Sequence, residues 1–113
     1  MDFIVTQDNN TATVKTNVEK LNASNASDLK AELVLLNKNN INNIVIDMSK
    51  TRYCDSSGLS TILVANRLCK DTNGNFALCG LQANVKKLIE IAQLDRILII
   101  TETVEQALSE ISK

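Results

Sequence analysis

The stretch IVIDMSKTRYCDSSG, residues 44–58, decides the fold of this chain. It begins with three β-branched residues, Ile44 to Ile46, and such a continuous run is typical of a strand covered on both faces, as in a parallel sheet. It ends in small polar residues, after which a helix is predicted from about Gly58 to Lys70. A strand followed by a helix predicts parallel pairing through right-handed crossovers.

Upstream of this stretch, the sequence predicts a hairpin and a first helix. Two short strands, residues 3–6 and 11–16, flank the turn residues 8–10, and this hairpin is expected to supply an antiparallel edge strand. Asn25, with an acid three residues later, is typical of a helix N-cap. The helix then presents one apolar stripe at helical spacing, formed by Ala26, Leu29, Leu33 and Leu36.

Downstream, strand and helix alternate twice more. Residues 75–79 predict a strand, and a third helix follows, marked by Val85, Leu88, Ile89 and Ala92. Residues 97–100 predict a last buried strand, and Thr103 with Gln106 has capping-box spacing at the start of a final helix. The predicted order is ββαβαβαβα. We therefore expect one α/β domain over residues 1–113, with a mixed, mostly parallel sheet of about five strands and about four helices.

Composition excludes several classes of function. The chain has 113 residues, of which 44% are hydrophobic and 22% charged, as in an ordinary globular domain. It contains no histidine, which excludes Ser-His-Asp and Cys-His catalysis and histidine-ligated zinc. A net charge of -1 without a basic patch argues against nucleic-acid binding. No glycine-rich phosphate loop occurs, and we predict neither a cofactor nor a metal site.

Cysteine usage and the N-terminus predict a cellular location. Cys54, Cys69 and Cys79 lack the C-x-x-C spacing, so they are predicted to be buried free thiols in a reducing cytosol. The sequence opens Met1-Asp2-Phe3 without the pattern of a signal peptide. No apolar run approaches the roughly 20 residues of a membrane span. We therefore expect a cytoplasmic protein that does not insert into a membrane.

The tetrapeptide Asp55-Ser56-Ser57-Gly58 is the best candidate for a functional site. It lies between a buried strand and a helix start, and ligands of parallel α/β sheets bind beyond the carboxyl ends of strands. The free N–H groups of a first helical turn would hold a phosphate carried by a serine there. The structural alternative is capping, because Asp and Ser are preferred N-caps. A nucleophilic Ser56 or Ser57 is the weakest alternative, since no histidine base is available.

Leu59 and Leu63 form a second candidate feature, on the helix after the motif. At about 100° per residue, one arc of this helix is predicted to face the core, formed by Thr61, Ile62, Ala65, Leu68 and Cys69. Leu59 and Leu63 fall on the opposite side and touch as an i, i+4 pair, which predicts a small docking patch. Scattered exposed leucines are the structural alternative. Arg67 and Lys70 would suit an acidic partner or a phosphate, or are solvated surface charges.

The chain resembles the STAS domain of bacterial anti-sigma factor antagonists over nearly its whole length. The matching stretches occur in the same element order, at residues 44–48, 54–59, 85–88 and 105–108. Three departures lie outside the motif. Asn22 stands where the family often has aspartate, in the loop before the first helix, which in that family takes part in contact with the anti-sigma factor, a serine kinase. Glu19-Lys20 occupies a stretch that often contains glycine, and Gln93 precedes Leu94 where Gly-Leu is usual.

The resemblance implies a phosphorylation switch. In that family the serine directly after the aspartate, here Ser56, is phosphorylated by the anti-sigma factor, which is a serine kinase. The unphosphorylated antagonist binds the kinase and frees the sigma factor, and a phosphatase restores the complex after phosphorylation has broken it. The partner-binding residues implied by the motif and the docking patch are Asn22, Asp55, Ser57, Gly58, Leu59, Leu63 and Arg67. The alternative hypothesis is a STAS-like module without phosphate transfer, as a cytosolic transporter subunit or a stress-signalling scaffold.

Overall fold

The computed structural model describes residues 2–112, in which a five-stranded mixed sheet forms the centre of the fold. The spatial order of its strands is β1 (Phe3–Asp8), β2 (Thr11–Thr16), β4 (Asn43–Asp47), β6 (Phe76–Cys79) and β7 (Ile99–Thr101). The edge strand β1 pairs antiparallel with β2, and every other pairing in this sheet is parallel. The continuous β-branched run of β4 is therefore at the middle of the sheet, as its sequence predicts.

Four α-helices within residues 2–112 cover the two faces of the sheet: α1 (Ala26–Lys38), α2 (Ser56–Asp71), α3 (Ala83–Ile91) and α4 (Val104–Ile111). Alternate residues of β4 face opposite sides. Ile44 and Ile46 belong to the main core with the apolar faces of α1, α2 and α3, whereas Val45 packs in a smaller cluster with α4. The predicted fold class, a mixed, mostly parallel sheet of about five strands with about four helices, is confirmed. Over residues 2–112, no helix has both the length and the apolarity to cross a membrane.

Two short strands were not predicted. β3 (Lys20–Leu21) and β5 (Tyr53–Cys54) pair in parallel and form a separate two-stranded sheet. Each has two residues, which is too short for a period-2 pattern to be recognised. Because β5 directly precedes Asp55, this small sheet ties the loop before α1 to the start of α2.

The last strand and one helix start differ from their predictions. β7 begins at Ile99 and is half-buried as an edge strand, and Ile97 is 58% exposed after a 3₁₀ turn, so a buried strand over residues 97–100 is wrong. Gln93 at this turn has a φ of 60°, in the left-handed region that glycine adopts without strain. Asn25 does precede α1, but its Oδ1 accepts from the Asn22 N–H at 3.0 Å and makes no cap bond to the helix.

Candidate functional site

Asp55 caps α2 and thereby sets the position of the serine that follows it. Its Oδ1 accepts hydrogen bonds from the backbone N–H of Ser57 at 2.9 Å and of Gly58 at 3.1 Å. The capping interpretation of the motif is therefore confirmed. Ser56 is the first residue of α2 and is exposed, so capping by Asp55 leaves the Ser56 hydroxyl accessible to a second protein.

Replacing Asp55 by alanine is expected to lower the free energy of unfolding by about 1 kcal/mol, because two backbone N–H groups lose their acceptor. Asp55→Asn is the matched control, since its amide oxygen can still accept both bonds. Urea unfolding followed by circular dichroism measures both variants. A loss as large in Asp55→Asn as in Asp55→Ala would contradict the capping role.

Gly58 lies at a close approach between α2 and the β3–β5 sheet. A Cβ built on Gly58 would lie 2.5 Å from the Cys54 Sγ and 2.9 Å from the Leu21 carbonyl oxygen. The same carbonyl accepts a hydrogen bond from the Asp55 N–H at 3.2 Å. The first turn of α2 is thus held against both short strands, and this contact leaves no room for a side chain at position 58.

The thiol of Cys54 has a packing role at this contact. Burial, and to a lesser extent the charge of Asp55, raises the pKa of the Cys54 thiol from 9.0 to about 11, so it stays neutral at neutral pH. Burial also raises the pKa of Cys69 to about 11 and that of Cys79 to about 12. All three cysteines are free thiols, but Cys54 is half-buried where the sequence predicted burial.

Ser56 lines a shallow cleft of about 400 Å³ between the N-terminal ends of α1 and α2. The residues around it are mostly small or hydroxylated, and Lys30 of α1 is the one charged residue among them: Ala23, Ala26, Ser27, Lys30, Ser56, Ser57, Ser60 and Thr61. The buried Thr61 joins the two walls, because its Oγ1 lies 3.3 Å from the Ala26 carbonyl and 3.2 Å from the Ser57 carbonyl and donates to them. The position of Lys30 beside Ser56 was not predicted, since no local motif links the two residues.

A second cleft of about 540 Å³, which Asp55 lines, lies along the β3–β5 sheet. Tyr53, which is 42% exposed, lines it, and its ring centroid is 6.0 Å from the Lys20 Nζ and 5.9 Å from the Arg52 Cζ. An exposed tyrosine beside an arginine is a common composition of binding hot spots. This cluster was not predicted, because Lys20 reaches Tyr53 only through the pairing of β3 with β5.

Asn22 shapes the loop that forms the other wall of this second cleft. Its Oδ1 accepts hydrogen bonds from the Ser24 N–H at 3.0 Å and from the Ser24 Oγ at 2.7 Å. Asn22 and Asp55 line the same cleft, so the structure brings these two predicted partner residues together. An aspartate at position 22 would offer the same acceptor oxygen to Ser24.

The sequence model of the STAS domain family matches residues 3–107 of this chain. The chain belongs to the STAS domain family. A crystal structure from Thermotoga maritima, described as that of an anti-sigma factor antagonist (TM1081), superposes with a TM-score of 0.91 at 25% identity and covers 98% of this chain and 95% of the other.

Two curated relatives of this STAS domain carry similar names. BtrV of Bordetella bronchiseptica, named as an anti-sigma factor antagonist, is 29% identical over 72 residues, which are 64% of this chain and 62% of that protein. The anti-sigma F factor antagonist of Paenibacillus polymyxa is 31% identical over 68 residues, 60% of this chain and 58% of that protein. The matched part thus spans about three fifths of each of these relatives.

The remaining predicted partner residues of the STAS domain lie further along α2. Leu59 is half-buried and packs against the main core, so its prediction as a residue opposite the core is wrong in this respect. Leu63 is half-buried and Arg67 is exposed. Arg67 lies three helical turns beyond Ser56, roughly 16 Å along the axis, and lines neither cleft. Ser56 itself lines the cleft between α1 and α2, and the preceding Asp55 lines the second cleft.

Proposed function

We propose that this STAS domain is an anti-sigma factor antagonist, which binds an anti-sigma serine kinase and is released when Ser56 becomes phosphorylated. The observation that carries the proposal is the exposed hydroxyl of Ser56 at the first residue of α2, directly after the capping carboxylate of Asp55. Relatives named as anti-sigma factor antagonists support it. The proposed role requires no catalysis by this chain and is exerted in the cytoplasm, where a phosphatase resets the switch.

The charge of a phosphate explains how such a switch works without a change of fold. Phosphorylation adds about -1.5 to -2 charges near neutral pH. If the kinase covers Ser56, that charge is desolvated at the interface, and an unpaired buried anion costs several kcal/mol. Since about 1.4 kcal/mol changes an affinity tenfold, one phosphate is sufficient to dissociate the complex.

The proposed kinase-binding surface surrounds Ser56 on both sides. On one side it comprises Asp55 and Ser57 with the half-buried Leu59 and Leu63, and Arg67 is at its far end. Gly58 was also predicted as a partner-binding residue, but it is buried against the β3–β5 sheet, so its proposed part is to position this turn. On the other side it includes Asn22 and, as an addition from the structure, the exposed ring of Tyr53. A serine at the centre of a surface of this kind becomes both the substrate of the kinase and the position where its modification disrupts binding.

Intact-mass spectrometry after incubation with ATP and a serine kinase from the same cell tests the proposal. We expect the wild-type chain to gain the mass of one phosphoryl group and the phosphatase to remove it. Ser57→Ala, the neighbouring hydroxyl, is the matched control and should still gain that mass, whereas Ser56→Ala should not. No gain by the wild type with any candidate kinase would favour the alternative hypothesis of a STAS module without phosphate transfer. If Ser56→Ala still gained the mass of a phosphoryl group, the modified residue would not be Ser56.

A further inference from the structure

We infer that the cleft between the N-terminal ends of α1 and α2 is a phosphate site, in which Lys30 and the surrounding hydroxyls hold the phosphate of Ser56 on the surface of the free domain. The inference rests on the proposed function in one respect, namely that Ser56 becomes phosphorylated in the cell. It assigns a role to Lys30, which the motif does not contain.

The helix terminus itself is a poor site for this phosphate. The Ser57 and Gly58 N–H groups already donate to the Asp55 Oδ1, and the Leu59 N–H donates to the Asp55 carbonyl at 3.0 Å. A phosphate on Ser56 would have to displace the Asp55 carboxylate to reach these donors, and the two anions repel each other. The expectation that the helix terminus holds the phosphate is therefore weakened, because three N–H groups of the first turn already have acceptors.

The adjoining cleft offers the groups that a dianion needs. Lys30 supplies an ammonium, and the hydroxyl-bearing residues Ser27, Ser57 and Ser60 line the same space as Ser56. The nearby acids of α1, Asp28 and Glu32, are exposed and do not line this cleft. A phosphate that turns away from Asp55 into the cleft exchanges a repulsive neighbour for an attractive one.

The walls of the cleft are held in place before any phosphate arrives. Thr61 of α2 is buried and donates to the Ala26 carbonyl of α1 and to the Ser57 carbonyl of its own helix. This contact fixes the separation of the first turns of the two helices. Lys30 is exposed, so its flexible side chain is free to follow the phosphate. The site therefore needs no rearrangement of the backbone.

A titration of the phosphate by ³¹P NMR tests the inference. Phosphoserine is introduced at position 56 during translation, which requires no kinase, into the wild type, Lys30→Gln and Lys38→Gln. A cation next to the phosphate favours the dianion, so Lys30→Gln should raise the second pKa of phosphoserine by about 0.3 pH units or more. Asp55 is present in all three proteins, so its repulsion cancels in the comparison. Lys38→Gln removes the same charge from the end of α1, outside the cleft, and should leave that pKa unchanged.

The possible outcomes separate this inference from the proposed function. An identical phosphoserine pKa in the wild type and Lys30→Gln would overturn the site, and so would equal shifts in the two lysine variants, which would reflect net charge alone. Both lysines are exposed, and circular dichroism of the unmodified variants verifies that they fold. If no kinase modifies Ser56 but the shift specific to Lys30 is found, the proposed function fails, whereas the ability of the cleft to hold a phosphate on Ser56 is retained.

Discussion

Phosphorylated wild type and Ser56→Asp should bind the anti-sigma kinase at least about tenfold more weakly than unmodified wild type and Ser56→Ala, a difference of about 1.4 kcal/mol or more. The physical reason is that Ser56 is exposed in the free domain and covered in the proposed complex, where an added anion loses its hydration. Ser56→Ala removes a hydroxyl and adds no charge, so it should remain bound and become insensitive to ATP. Isothermal titration calorimetry with the kinase in its ADP-bound form measures all four affinities.

Ser60→Asp is the matched control for the charge at position 56. Ser60 is exposed and lines the same cleft one turn further along α2, so it adds the same charge at a different place. We expect its affinity to fall less than that of Ser56→Asp. Equal binding by unmodified wild type, Ser56→Ala and Ser56→Asp would refute the switch. Equal losses in Ser56→Asp and Ser60→Asp would show that net charge, and not the position of Ser56, decides binding.

Elements with a recognisable period could be predicted from the sequence. The stripe of α1, which includes Leu29 and Leu33, is buried as expected, and the continuous run of β4 lies between two parallel neighbours. Both patterns arise from burial along a single element, so they are present in the local sequence. The strands β3 and β5 have two residues each, and their pairing joins residues 33 positions apart, Lys20 with Tyr53. No local pattern specifies such a pair.

The residues of the candidate site also fall into two groups, those that local sequence rules predict and those that tertiary structure brings to the site. Asp55 as the cap and Ser56 at the helix start follow from local capping rules, and the structure has both. Lys30 and Tyr53 come next to the motif through helix packing and strand pairing, which local rules do not contain. Asn25 was predicted to cap α1 by a local rule, but its side chain makes other hydrogen bonds. Its side chain bonds the Asn22 N–H and the Lys20 carbonyl, which stabilises the preceding loop instead of α1.

Gly58→Ala should lower the free energy of unfolding by about 2 kcal/mol, the cost typical of an overpacked site. Elsewhere in a helix the same substitution is stabilising by up to about 1 kcal/mol, so the sign of the change is itself the test. The added Cβ would be 2.5 Å from the Cys54 Sγ and 2.9 Å from the Leu21 carbonyl oxygen, and the second of these atoms belongs to the backbone. Relief of this overlap requires the first turn of α2 to move away from the β3–β5 sheet.

The contribution of each contact can be separated by a double-mutant cycle with Cys54→Ala, measured by urea unfolding. Removing the Sγ should reduce the cost of Gly58→Ala but not abolish it, because the Leu21 carbonyl stays 2.9 Å from the new Cβ. Ser60→Ala, at an exposed position of the same helix, is the control for helix propensity and should change stability little. If Gly58→Ala instead raised the free energy of unfolding, the contact between α2 and the β3–β5 sheet would be able to adjust to a side chain at little cost. In that case the β3–β5 sheet would not hold Asp55 and Ser56 in place, and another contact would have to position the serine for its kinase.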